Sequence, residues 1–167
     1  KTGWDFWAVG GFLAIWTIGY GFIQSFAPTL LKRSQDGLSK EVPEARLWIV
    51  IMIFVPASLL LAFAFHNKLF TSPDLLVVTG LIIFGIPFAL NSSLHSYLIL
   101  AYAGSKKAAE DVGFYYAGNA VGRLIGTLLS GILFQSGGLV ACIIGSLVML
   151  MVCGYFTFRL PISSKKK

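Results

Sequence analysis

The chain has 167 residues, 56% of them hydrophobic and only 12% charged, with a mean hydropathy of +0.79. A soluble domain carries roughly 25% charged residues, so a water-soluble globular fold is excluded and an integral membrane protein is expected. The net charge of +6 does not point to nucleic acid: the basic residues stand at the ends of apolar runs, the pattern that membrane orientation imposes.

Hydrocarbon about 30 Å thick takes ~20 mainly apolar residues per helix, and five such runs occur. They are too long and unbroken for the alternating strands of a barrel. The expected fold is an all-α membrane protein with five transmembrane helices. The first span, residues 6–29, carries Thr17, Tyr20 and Gln24 on one face, has Gly10, Gly11, Gly19 and Gly21 as close-packing or bending points, and exits at Pro28. The segment from Lys32 to Arg46 follows, with Gly37 and Pro43 as breakers and Lys32, Arg33, Lys40 and Arg46 as cations, and is expected as a cytoplasmic loop. The second span, residues 47–65, is apolar almost all round and can face lipid. His66 to Asp74 then turns the chain with a single lysine, so this loop is expected outside, with His66 solvated.

The third span, residues 75–100, exceeds what the bilayer requires and is expected to bend at Pro87. Asn91 and His95 align on it at i and i+4, with Tyr102 near the same face. Gly104 to Asp111 is a short connection whose Lys106 and Lys107 place it inside. The fourth span, residues 112–134, ends in the tight turn Gln135 to Gly138, and the fifth, residues 139–158, leads to Arg159 and the terminal lysines, again inside. These cations put the N-terminus of the segment outside and its C-terminus in the cytoplasm. An odd number of spans starting outside, without an initiator methionine or signal peptide, gives the expectation that the chain begins partway through a longer protein.

The fourth span holds the main functional candidate. At about 100° per residue, Tyr116, Asn119, Arg123, Thr127 and Ser130 share one face. Gly118, Gly122 and Gly126 form an adjoining small-xxx-small stripe suited to close helix packing. An arginine at membrane depth costs from ~2.5 to more than ~10 kcal/mol, so it faces a partner or a cavity, or snorkels to the interface. All seven acidic residues, Asp5, Asp36, Glu41, Glu44, Asp74, Glu110 and Asp111, fall in loops or at span ends. The counter-charge of Arg123 is therefore an anionic substrate or an acid elsewhere in the protein. The substrate is favoured, because guanidinium binds carboxylate and phosphate bidentately and keeps its charge.

Spans one, three and four carry polar stripes; spans two and five do not. Three helices lining an aqueous cavity, with two supporting them, would produce this division, and transporter sites near the midplane are built that way. The candidate substrate-binding residues are Arg123, Asn119, His95, Asn91, Tyr20, Gln24 and Tyr116. Tyr97, Tyr102 and Tyr115 suit an interfacial aromatic belt equally well, and Asn119, Thr127 and Ser130 could bond across helices instead. As an imidazole, His95 would add pH dependence.

No enzymatic constellation is present. The two histidines lie 29 residues apart without carboxylate or cysteine at metal-ligand spacing. Cys142 and Cys153 are about 16 Å apart along one helix and form no disulfide framework. The Gly-x-x-x-Gly repeat follows a helix start and not a strand, so it is no phosphate loop. No catalytic residue, metal site or cofactor is expected.

Gly3 to Gly21, Asn91 to Tyr102 and Ala108 to Gly126 together resemble the C-terminal part of a major facilitator superfamily permease, and more specifically the ArsJ-type organoarsenical efflux permeases. The resemblance covers nearly the whole chain. It implies that the five spans are similar to helices eight to twelve of a twelve-helix fold, whose N-terminal half and helix seven would be missing partners. It implies that helices eight, ten and eleven help line the cavity while nine and twelve are peripheral. It also implies export of 1-arseno-3-phosphoglycerate across the inner membrane, hence arsenate resistance and a functional link to glyceraldehyde-3-phosphate dehydrogenase, which makes that anion from arsenate. An exporter of another small organic anion or drug, or a non-transporting membrane scaffold subunit, are the alternatives.

Overall fold

The computed structural model describes residues 4–31, 38–65, 72–103 and 108–162. Expectations that rest on Lys32, Arg33, Asp36, Gly37, His66, Lys106, Lys107 and the terminal lysines lie outside the described residues. The described chain forms four helices, α1 (Phe6–Leu30), α2 (Glu41–Ala64), α3 (Pro73–Tyr102) and α4 (Ala108–Phe158). Each is long and apolar enough to cross a membrane.

The expected count of five is thus corrected to four, because residues 112–134 and 139–158 both belong to the 51-residue α4. That helix is not straight. Gly137 (φ −151°, ψ 17°) and Gly138 (φ 63°, ψ −153°) leave the helical region. A straight helix would hold Ser130 and Cys142 about 18 Å apart, yet the Cys142 thiol reaches the Ser130 carbonyl at 3.5 Å and Gly145 packs against Leu133. Two arms, residues 108–136 and 139–158, therefore lie side by side, joined by a reversal so short that helix runs up to it from both directions. Gly138 occupies the left-handed region, which a residue with a Cβ enters only with strain.

A second correction concerns α2, which begins at Glu41 and takes in the stretch through Arg46 that reads as loop. Pro43 does not break it, because in a first turn the missing N–H has no intrahelical acceptor to serve. Glu41 and Glu44 stand in that first turn, Asp74 in that of α3, and Glu110 and Asp111 in that of α4. Asp5 caps α1, its carboxylate accepting from the Ala8 N–H at 2.7 Å. Every described acid thus meets the positive end of a helix dipole at a span end.

α2 is the packing centre. Val42, Ala45, Ile49, Met52 and Val55 recur every three or four residues and are buried against α3 and the second arm of α4. The opposite side, including Leu47, Phe54 and Leu61, is exposed, as a lipid-facing surface requires. Being apolar all round, the helix gave no sequence sign of which side would be covered. Gly154 brings the second arm close: a Cβ there would stand 3.3 Å from the Ile53 side chain. At one end of the bundle Leu38, Val42, Ala45, Leu94 and Leu98 form a core with Trp48, Tyr102 and Leu160 around it.

The same end is tied by polar bonds. Arg46 donates from one guanidinium nitrogen to the carbonyls of Phe158 at 3.0 Å and Leu160 at 2.9 Å, and the guanidinium lies 5.7 Å from the Phe158 ring centre. It thereby satisfies carbonyls that the end of α4 leaves without intrahelical donors. Tyr102 donates its hydroxyl to the Pro161 carbonyl. Arg46, expected as a loop cation, is a clamp on a helix terminus.

α1 leans chiefly on α3, through a junction of two aromatic contacts and one glycine. The Trp16 indole N–H donates to the Leu81 carbonyl at 2.8 Å, and a Cβ on Gly85 would stand 3.1 Å from that indole nitrogen. Trp16 stacks on Tyr20 at 6.0 Å between centroids, and Tyr20 meets Phe88 at 5.3 Å. Beyond this line α1 buries only Ala27, and the first arm of α4 buries no residue.

Candidate functional site

An open cleft of about 400 Å³ lies between α1, α3 and the first arm of α4. α1 supplies Tyr20 and Gln24, α3 supplies Ser92 and Ser96, and the first arm supplies Tyr116, Asn119, Ala120 and Arg123. Periodicity explains the grouping. Tyr20 and Gln24 are four residues apart, as are Ser92 and Ser96, and Tyr116, Asn119 and Arg123 follow at three and four, so each set shares a helix face.

Arg123 stands 15 residues from the start of α4 and 13 from Ser136, or about 22 and 20 Å along the first arm. This is mid-depth for a spanning helix. Among the described residues none hydrogen-bonds or ion-pairs with its guanidinium, while its carbonyl accepts the Thr127 hydroxyl at 2.9 Å. Tyr20 is held between Trp16 and Phe88, and Tyr116 meets the edge of Tyr115 at 5.5 Å. The cleft therefore joins one permanent cation to neutral hydroxyl, phenol and amide groups. That donor set fits an anion with further polar substituents.

Five of the seven expected binding residues meet here: Tyr20, Gln24, Tyr116, Asn119 and Arg123. Asn91 and His95 are not in the lining. Asn91 is 6% exposed, and its side-chain oxygen has no hydrogen-bond partner among the described residues. His95 Nδ1 lies 2.9 Å from the Asn91 carbonyl, a contact that requires the proton on Nδ1. Ser92 and Ser96, which the sequence reading passed over, stand in their place. The signal was available in Leu90, Leu94 and Leu98, all buried: Ser92 and Ser96 lie about 160° from Leu94 around the helix, whereas Asn91 lies only about 60° away.

Gly118, Gly122 and Gly126 have nothing within 4 Å of where a Cβ would be. Close approach occurs instead at Gly80, where Leu59 is the neighbour, and at Gly85, Gly145 and Gly154. Two further cavities are mainly apolar. One of about 490 Å³, lined by residues including Trp4, Phe12, Leu81 and Phe134, has Asp74 as its only charged lining residue, and one of about 290 Å³ lies between α2, α3 and the second arm. The described residues contain no group of three His, Cys, Asp or Glu side chains placed to hold a metal. Comparison with known proteins returns no matching family model, curated relative or solved structure.

Proposed function

We propose that the chain is the C-terminal part of an anion-exporting permease of the major facilitator type. Its four helices, with the two arms of α4 counted apart, correspond in this reading to helices eight to twelve of a twelve-helix fold. The observation that carries the reading is the cleft in which Tyr20, Gln24, Tyr116 and Asn119 gather around Arg123 at mid-depth. A guanidinium without a counter-charge among the described residues, beside neutral hydrogen-bonding groups, is suited to a carboxylate or phosphate cargo. The cargo proposed is 1-arseno-3-phosphoglycerate, which makes the protein a determinant of arsenate resistance acting downstream of glyceraldehyde-3-phosphate dehydrogenase. Export would proceed by alternating access, the N-terminal half rocking against this one across the cleft. The basic span ends support an inner-membrane location with the Arg46 end and the C-terminus in the cytoplasm.

Arg123→Ala in the complete protein is the direct test. Losing a charge-assisted contact to the cargo should lower vesicle export by about 10- to 150-fold at unchanged membrane level. Unchanged export and arsenate resistance would remove the proposal. Transport of an arsenylated phosphoglycerate set against unrelated drugs separates this cargo from other anions or drugs. Cysteines placed at Ser96 and Asn119 that stay unreactive to aqueous reagents from both sides would favour a scaffold subunit.

A further inference from the structure

We infer that the cleft reads its cargo at two points, an anionic group at Arg123 and a cargo hydroxyl at the Ser96 oxygen, so that it selects hydroxylated anions over their deoxy counterparts. This rests on the anion-transport reading above and adds the second half of the recognition. The Ser96 hydroxyl donates to the Ser92 carbonyl at 3.0 Å. A serine hydroxyl has one donor hydrogen and two acceptor lone pairs. With its donor engaged along the helix, Ser96 presents only acceptor character to the cleft it lines.

An acceptor repels carboxylate and phosphate oxygens, so Ser96 turns the anionic end of a cargo away from itself and toward α4. There Arg123 and the Asn119 amide provide donors. What the Ser96 oxygen asks for is a hydrogen-bond donor. A cargo that remains an anion can offer one as an alcohol on its carbon skeleton. Ser96 is half-buried, so a cargo without that alcohol covers the oxygen and leaves it unmatched. The penalty for an unmatched polar atom exceeds the gain from a matched one.

The test uses the complete protein reconstituted in liposomes and two probes of equal charge, 3-phosphoglycerate and its 2-deoxy counterpart 3-phosphonooxypropanoate. Wild type should bind the hydroxylated probe about tenfold more tightly. In Ser96→Ala the ratio should fall below about twofold, chiefly because the deoxy probe no longer covers an unmatched oxygen and binds severalfold more tightly than to wild type. Ser96→Thr should keep the preference. Ser96→Cys, nearly isosteric but a far weaker acceptor, should lose it, and decides the matter if the alanine variant does not fold. Equal affinities in wild type, or a tenfold ratio surviving in the Ser96 alanine and cysteine variants, overturn the inference while leaving the anion reading intact, provided Arg123→Ala weakens both probes. Failure of wild type to bind either probe overturns the anion reading and this inference with it.

Discussion

α2, α3 and the second arm of α4 hold nearly all the buried apolar residues, while α1 and the first arm hold one between them, Ala27. The two regions have similar compositions, and both can cross a membrane. In lipid, hydrophobicity alone does not drive helices together, because acyl chains are as apolar as leucine; packing and interhelical hydrogen bonds decide. The packed region has both, in the Leu38–Leu98 cluster and the Arg46 clamp. The open region has two narrow seams, Trp16 against Gly85 and Leu81 and the first arm's Ser130 and Leu133 against Cys142 and Gly145 of the second, and beyond them a polar cleft. Most polar groups of the cleft are thus mounted on the elements with the least packing to lose, with α3 supplying Ser92 and Ser96 from the packed side. Low local contact density is also where motion concentrates.

The largest effect that would sharpen this contrast is Leu94→Ala against Leu124→Ala. Leu94 is 2% exposed and Leu124 is 62% exposed. With lipid replacing water as the outer phase, the cavity left at Leu94 is the main loss, about 2–3 kcal/mol, whereas Leu124→Ala should stay within about 0.5 kcal/mol. Unfolding in mixed micelles measures both, and equal losses would break the division into packed and open regions. Next comes Arg46→Gln. Removing two bonds from a charged donor should cost about 2 kcal/mol and raise amide exchange at residues 156–160 before any change near Arg123.

The smallest effect has the opposite sign. Asn91 buries a side-chain oxygen without a hydrogen-bond partner among the described residues, so Asn91→Leu should raise stability by about 1 kcal/mol and leave export unchanged. Loss of export in that variant would return Asn91 to the binding wall and shift the cleft around α3.

Much of this arrangement was readable beforehand, and the misreadings share a cause. The stripes on α1 and the first arm came through because each is a polar series on an otherwise apolar helix, where 100° per residue leaves one solution. On α3 two polar pairs run side by side, Asn91 with His95 and Ser92 with Ser96, and the more polar pair lies outside the cleft lining, with Asn91 buried. The leucines at 90, 94 and 98 were the better guide, since packing decides which side of a membrane helix is covered. The glycines misled for the same reason. Gly118, Gly122 and Gly126 have the spacing of a packing motif, but a close approach needs a second helix or arm, and among the described residues Gly80, Gly85, Gly145 and Gly154 have one that near.

By itself the sequence determined that this is an all-helical chain of membrane-crossing length, that its acids fall in loops or at span ends, and that one arginine lies midway along an apolar span. These follow from properties local to a single helix: length, hydropathy, dipole and periodicity. Only the tertiary structure decided that α2 is the packing centre, that α4 folds back on itself at Gly137 and Gly138, that Arg46 clamps the last helix, and that Ser92 and Ser96 share the cleft with Arg123. Each of these depends on which side of one helix meets another. In a uniformly apolar chain that choice rests on shape and on a few long-range hydrogen bonds, which local sequence does not encode.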